Sequence, residues 1–157
     1  MPMNRYAVYK LKYGYFRIEE EQGSVISIHH IDAPPPDMGT PTPLTDRAAD
    51  QFAEYFAGRR REFEFPYELR GTEFQKKVWS ELEKIAYGET RTYKDIASAV
   101  GNPKAARAVG MVCNRNPIII AVPCHRVIGS DGRLTGYAAG ISMKKALLSI
   151  EENHKEK

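Results

Sequence analysis

Near Gly71 the chain changes from one kind of local order to another, and any fold for it has to accommodate both. Before that point, residues 6–11, 15–19 and 25–31 are dense in aromatic and β-branched side chains. Gly14 and Gly23 stand where hairpins would turn. The run Ala33-Pro34-Pro35-Pro36-Asp37, extended by Pro41 and Pro43, reads as loop throughout. Residues 44–57 then place Ala48, Phe52 and Phe56 on one helical face, with Gly58 as the stop. Residues 59–70 mix charges with Phe63, Phe65 and Pro66 and read as an extended connector between two lobes.

After Gly71 the spacing is helical. Thr72-Glu73-Phe74-Gln75 has the form of a capping box, followed by Phe74, Val78, Leu82 and Ile85 at helical intervals and by Gly88 as the stop. Thr92 caps a short helix over 93–100 with Ile96, Ala97 and Val100 inward. Gly101-Asn102-Pro103 then supplies a turn, an N-cap and a proline at the first helical position of a helix over 104–113. That helix is rich in small residues: Ala105, Ala106, Ala108 and Gly110. Two short helices joined this way fit a helix-turn-helix or an ordinary helical hairpin. Residues 118–122 read as a buried strand, and 142–151 as a last helix with Met143, Ala146, Leu147 and Ile150 inward. The fold class expected is α+β. A small N-terminal α/β lobe with antiparallel strands would occupy 1–66, and a mainly helical, helix-turn-helix or winged-helix-like lobe 67–157.

Charge separates the halves as well. Residues 1–70 carry 9 basic and 11 acidic side chains, whereas residues 71–150 carry 12 and 6, and within 91–133 the balance is 7 to 2. A basic second half on a chain of net charge +3 suits a polyanionic partner such as nucleic acid, or a merely solvated face. No apolar run is long enough to span a bilayer, and Met-Pro-Met-Asn-Arg-Tyr has no hydrophobic segment behind its arginine. Two cysteines among 157 residues cannot make a disulfide framework. A cytoplasmic, membrane-free protein is the expectation.

The two cysteines differ in setting. Cys113 shares the apolar side of its helix with Val109 and Val112 and reads as a packed small hydrophobe. Cys124 stands at an abrupt strand end after Pro123 and is followed by His125 and Arg126. Neighbouring positive charge lowers a thiol pKa from its ordinary value of about 8.5, so this is a favourable place for a thiolate, the other reading being an incidental Cys-His pair. No Cys-x-x-Cys is present and His29-His30 lies far off in sequence, so no metal site is expected.

Pro123-Cys124-His125-Arg126-Val127-Ile128-Gly129, continuing to Gly136-Tyr137-Ala138, resembles the active-site signature of the methylated-DNA–protein-cysteine methyltransferases, or O6-alkylguanine-DNA alkyltransferases. The likeness runs upstream through Arg70-Gly71-Thr72-Glu73-Phe74-Gln75, the segment Gly101-Asn102-Pro103-Lys104-Ala105-Ala106-Arg107-Ala108-Val109-Gly110, and Asn114-Arg115-Asn116-Pro117. It covers roughly residues 59–152 without a gap, and departs only at Ala139, where relatives more often carry glycine.

The resemblance implies a ribonuclease-H-like N-terminal lobe and a single, irreversible transfer of an alkyl group from O6-alkylguanine, and O4-methylthymine, in duplex DNA to the protein. It implies that Cys124 is the acceptor, that His125 is a base reaching the thiol through a water, and that Glu151 orients the imidazole. Asn116 is implied as the hinge that ties the recognition helix to the active-site segment. Tyr93 is implied to hydrogen-bond the flipped base, Arg107 to fill the vacated stack, and Lys94, Asn102, Ser130 and Tyr137 to contact DNA or base. No cofactor is implied, and the expected state is a monomer. The rival readings are a cysteine hydrolase, a helix-turn-helix regulator, and a non-catalytic alkyl-lesion sensor.

Overall fold

The computed structural model describes residues 5–134, 136–137 and 139–155, so the expectation for Ala138 lies outside the described residues. Packing divides the chain between Arg70 and Gly71 into two compact units. Among the described residues no helix is long and apolar enough to cross a membrane.

In the first unit, β1 (Arg5–Leu11), β2 (Gly14–Glu21) and β3 (Ser24–Ile31) form an antiparallel sheet in the order β1-β2-β3. Gln22 and Gly23, with φ of 52° and 84°, make the two-residue turn whose twist suits a hairpin. One face of the sheet carries Ala7, Phe16, Ile18 and Ile28, all fully buried. Onto it packs α1 (Pro43–Phe56) through Ala48, Phe52 and Phe56, with Phe16 and Phe52 rings 5.8 Å apart edge to face. Pro43 is not loop. It stands in the first turn of α1, behind a capping box made by Thr42 and Thr45, because its absent N–H would have had no helical partner there anyway.

Residues 59–70 are more than a connector. Phe63 stacks against Phe52 with ring centroids 5.1 Å apart, and Phe65 is buried. Val25 N–H donates to the Pro66 carbonyl at 2.9 Å, and Glu68 N–H donates to the Val25 carbonyl at 2.9 Å. These bonds tie the segment to β3 and carry the first unit four residues beyond the 66/67 division expected.

The second unit begins with α2 (Glu73–Glu83), capped by Thr72 and Gln75 as their spacing predicts. It continues through β4 (Arg91–Thr92) directly into α3 (Tyr93–Ala99), capped by Thr92 and Asp95. Next come α4 (Ala106–Asn114), a 3-10 turn over Cys124–Arg126, β5 (Val127–Ile128), which pairs parallel with β4, and α5 (Ile141–His154). Their shared core includes Val78, Trp79, Leu82, Ile96, Ala97, Val109 and Leu147.

Asn102 is not the N-cap of α4. Ala105 N–H closes a turn onto the Asn102 carbonyl at 3.0 Å, and the helix starts at Ala106 with no side-chain cap. Pro103 therefore sits second in a four-residue turn, a position its fixed φ favours as much as the first position of a helix. The α3–α4 connection is longer than the three-residue turn of a minimal helix-turn-helix as a result.

Candidate active site

Residues 118–122 were expected as a strand; they form a tight loop instead. Val122 N–H returns to the Ile118 carbonyl at 3.1 Å, and Ile120 takes a φ of 72°. A β-branched residue pays about 1–2 kcal/mol for that left-handed conformation, so the surroundings must impose it. Burial does part of this, since Ile118, Ile119, Ile120 and Val122 are all buried.

Asn116 does the rest. Its side-chain carbonyl accepts from Ile118 N–H at 3.0 Å, and its amide donates to the Val122 carbonyl at 2.6 Å and to Cys124 Sγ at 3.1 Å. One buried amide thus pins both ends of the loop and the thiol that follows it. The chain turns over at Cys124 because the 3-10 turn opens there, with Cys124 N–H on the Val122 carbonyl at 2.9 Å.

Cys124 is only 1% exposed. Burial pushes its thiol up to about 11, against the smaller opposing effects of the Asn116 hydrogen bond and the Lys144 charge. The adjacent arginine was expected to lower the thiol; it is engaged elsewhere. Arg126 donates from Nε and Nη2 to the two oxygens of Glu151 at 2.8 and 3.0 Å, and from Nη1 to the Ile85 carbonyl at 2.7 Å. The resting site therefore holds a thiol, and a base is needed to make it a nucleophile.

The nearest imidazole lies next in the chain. His125 is fully buried, and its Nε2 is 2.7 Å from Glu151 Oε2. Glu151 also accepts from Gly88 N–H at 3.0 Å. Burial alone would raise the Glu151 carboxyl, but the hydrogen bonds and charges of His125 and Arg126 hold it well below the usual carboxylate range. An ionised carboxylate only accepts, so Nε2 carries the proton and Nδ1 is the basic nitrogen. Burial lowers the His125 pKa, Glu151 works against that, and Arg126 and Lys144 work with it.

Lys144 is the charged residue that the sequence reading missed. It is fully buried on α5, with Nζ 3.3 Å from the Tyr93 hydroxyl, and burial pulls its pKa down. A signal was present: Lys144 and Glu151 are seven residues apart, so both share the inward face with Leu147. Tyr137 is also buried, its ring 6.5 Å from that of His125 and nearly perpendicular.

Tyr93 connects this network to the surface. It lines a cleft of about 510 Å³ together with Lys94, Arg107, Gly110, Met111 and Ser130. Four of the residues singled out in the sequence meet there, while Asn102 lies in the exposed turn before α4 and is not among the lining residues. Met111, 54% exposed on α4, is apolar and was not anticipated; it stands off the Val109, Val112 and Cys113 face. Among the described residues no group of three or more His, Cys, Asp or Glu could hold a metal ion.

Comparison with known proteins points the same way. The family described as "6-O-methylguanine DNA methyltransferase, DNA binding domain" matches residues 73–153. The methylated-DNA–protein-cysteine methyltransferase of Methanosarcina barkeri is 57% identical over 107 residues, 68% of each chain. The constitutive one of Bacillus subtilis is 55% identical over 118 residues, 74% of this chain and 72% of its own. Among solved structures, the O6-methylguanine methyltransferase of Mycobacterium tuberculosis superposes with a TM-score of 0.86 at 42% identity, covering 97% of this chain and 94% of that one. The structure of that organism's OGT in complex with DNA gives the same TM-score at 43% identity, over 95% of this chain and 93% of that one. The chain belongs to the methylated-DNA–protein-cysteine methyltransferase family.

Proposed function

We propose that this protein repairs alkylated DNA by moving the alkyl group of O6-alkylguanine, and of O4-methylthymine, irreversibly onto its own Cys124. The observation that carries this reading is the buried chain of contacts Asn116–Cys124, then His125–Glu151, closed by Arg126. Neither a DNA-binding regulator nor a lesion sensor needs a thiol and a neutral imidazole built into adjacent positions.

Nδ1 of His125 takes the Cys124 proton through a water, the sulfur attacks the alkyl carbon, and the bond from that carbon to O6 breaks. The electron pair leaves on the guanine, which gains a proton. The product is a thioether. Unlike a thioester it offers water no electrophilic carbonyl, so nothing in the site returns the thiol and each molecule acts once. Burial of the thiol means that the base must leave its stack to be reached, and a damaged, poorly paired base costs least to extrude. Tyr93, accepting from Lys144, turns its own hydroxyl to the extruded base. Arg107 on α4 occupies the vacated stack. Lys94, Ser130 and the exposed turn at Asn102 meet the backbone, and Tyr137 walls the base pocket beside His125.

The three strands with α1 support a reduced ribonuclease-H-like lobe, and the β4–β5 pair beside α3 and α4 supports a winged-helix-like second unit. The test is mass spectrometry after incubation with a duplex bearing one O6-methylguanine. Wild type should gain one methyl group, mapped to Cys124, and never more than one equivalent. Cys124→Ser should gain none yet still bind the duplex, and Cys113→Ser should transfer normally. Turnover beyond one equivalent, or label on Cys113, would exclude the mechanism.

A further inference from the structure

The mechanism uses Cys124, His125 and Glu151 and leaves unused the remaining charged group in direct contact with them. Arg126 is buried, grips both oxygens of Glu151 at 2.8 and 3.0 Å, and is itself fixed by the Ile85 carbonyl at 2.7 Å and by the Tyr87 ring, 5.8 Å from its guanidinium carbon. A buried carboxylate whose one charged partner were an imidazole 2.7 Å away would favour the imidazolium, since an opposite charge at that distance stabilises the protonated ring. An imidazolium cannot take the Cys124 proton. With Arg126 in place, Glu151 already has a permanent cation on both oxygens, so orienting the ring no longer requires protonating it.

We infer that Arg126 is a positioning residue that keeps His125 in its neutral, proton-accepting form by serving as the fixed counter-ion of Glu151. The inference rests on the alkyl-transfer reading above. The groups facing His125 divide cleanly. Glu151 on α5 favours its protonation; Lys144 on α5 and Arg126 on its own turn oppose it. The Cys124 thiol and the Tyr137 phenol are uncharged neighbours, both pushed up by burial. Gly88 N–H, from the loop after α2, adds a neutral donor to the carboxylate.

Ring-nitrogen NMR on histidine-labelled wild type, with His125 assigned by the loss of its signals in His125→Gln, reads the state directly. His125 should still be mainly neutral at pH 6.5, with the proton on Nε2, because burial holds it below its ordinary value. Imidazolium at pH 6.5 in the wild type would overturn the inference. In Arg126→Gln the midpoint of His125 should rise by about one to three units, the effect of leaving the neighbouring carboxylate without its own cation. Methyl transfer by that variant should then be roughly tenfold or more slower at pH 6.5 than at pH 8.5, with wild type nearly level between them. Arg126→Lys, which keeps the charge and loses the fork, should follow the wild-type profile. A folded Arg126→Gln protein with an unmoved midpoint would refute the role. If that variant fails to fold, Arg126→Lys decides alone, because a raised midpoint with the charge retained is incompatible with a counter-ion account. Wild type that accepts no methyl group at any pH refutes the repair reading instead, and the histidine titration still answers for Arg126.

Discussion

Asn116 illustrates how much one side chain can organise. Its amide has a single arrangement that satisfies Ile118 N–H, the Val122 carbonyl and Cys124 Sγ together, and the left-handed Ile120 lies inside the loop it closes. Removing it orphans the buried Ile118 N–H and takes away the brace around the left-handed Ile120. Asn116→Ala should therefore destabilise by about 1–3 kcal/mol in urea unfolding, the cost of one unsatisfied buried group. Because the same amide touches the sulfur, transfer should slow even in the fraction that is folded. A loss below about 0.5 kcal/mol would mean that packing of the three isoleucines alone holds the loop.

At the scale of elements, α4 and α5 divide the work. α5 brings Lys144 and Glu151 inward one above the other and so carries charge into the core. α4 buries Val109, Val112 and Cys113 and turns Arg107 and Met111 outward, with Gly110 between them close to Tyr93. A helix so arranged can approach a duplex closely, and an inserted side chain commonly enters from the minor groove. Arg107→Ala should slow repair of a methylated duplex about tenfold or more, because unstacking a base costs a few kcal/mol and its substitute is gone. Reaction with free O6-methylguanine base should barely change. Equal slowing on duplex and free base, measured side by side, would remove Arg107 from the extrusion step.

At the scale of the molecule, buried ionisable groups shape stability against pH. His125 is lowered from 6.5, so the unfolded chain binds the extra proton first as pH falls below about 6.5, and stability is lost in that direction. Glu151, depressed from 4.5, adds a second loss beginning below about 4.5. Cys124 is raised from 9.0 to about 11, so the unfolded chain ionises first and stability falls as pH climbs between those values. That group alone accounts for about 2 kcal/mol by pH 11. Cys113 acts in the same sense, while Lys144, lowered by burial, opposes it. Thermal midpoints should form a plateau between about pH 6.5 and pH 9, and Cys124→Ser should flatten part of the alkaline limb. An alkaline limb identical in Cys124→Ser would show that the thiol is not buried in solution.

The sequence by itself determined the local elements and the chemistry. Capping pairs, turn glycines and apolar spacing are short-range physics, so the three strands, α2, α3 and α5 were legible, as was the singular setting of Cys124. It misjudged what depends on competition between local options. Pro43 and Pro103 each suit a helix start or a turn, and only neighbouring packing chose between them. Residues 118–122 have strand composition, yet Asn116 and a crowded core bend them back on themselves. The partners of charge belonged wholly to the tertiary structure. That Arg126 faces Glu151 and not the thiol beside it, and that Lys144 is buried against Tyr93, follow from helices brought together across 25 and 51 residues of chain. Burial then reverses the expected effect of a nearby cation on Cys124, because desolvation of a thiolate outweighs the positive charge within reach.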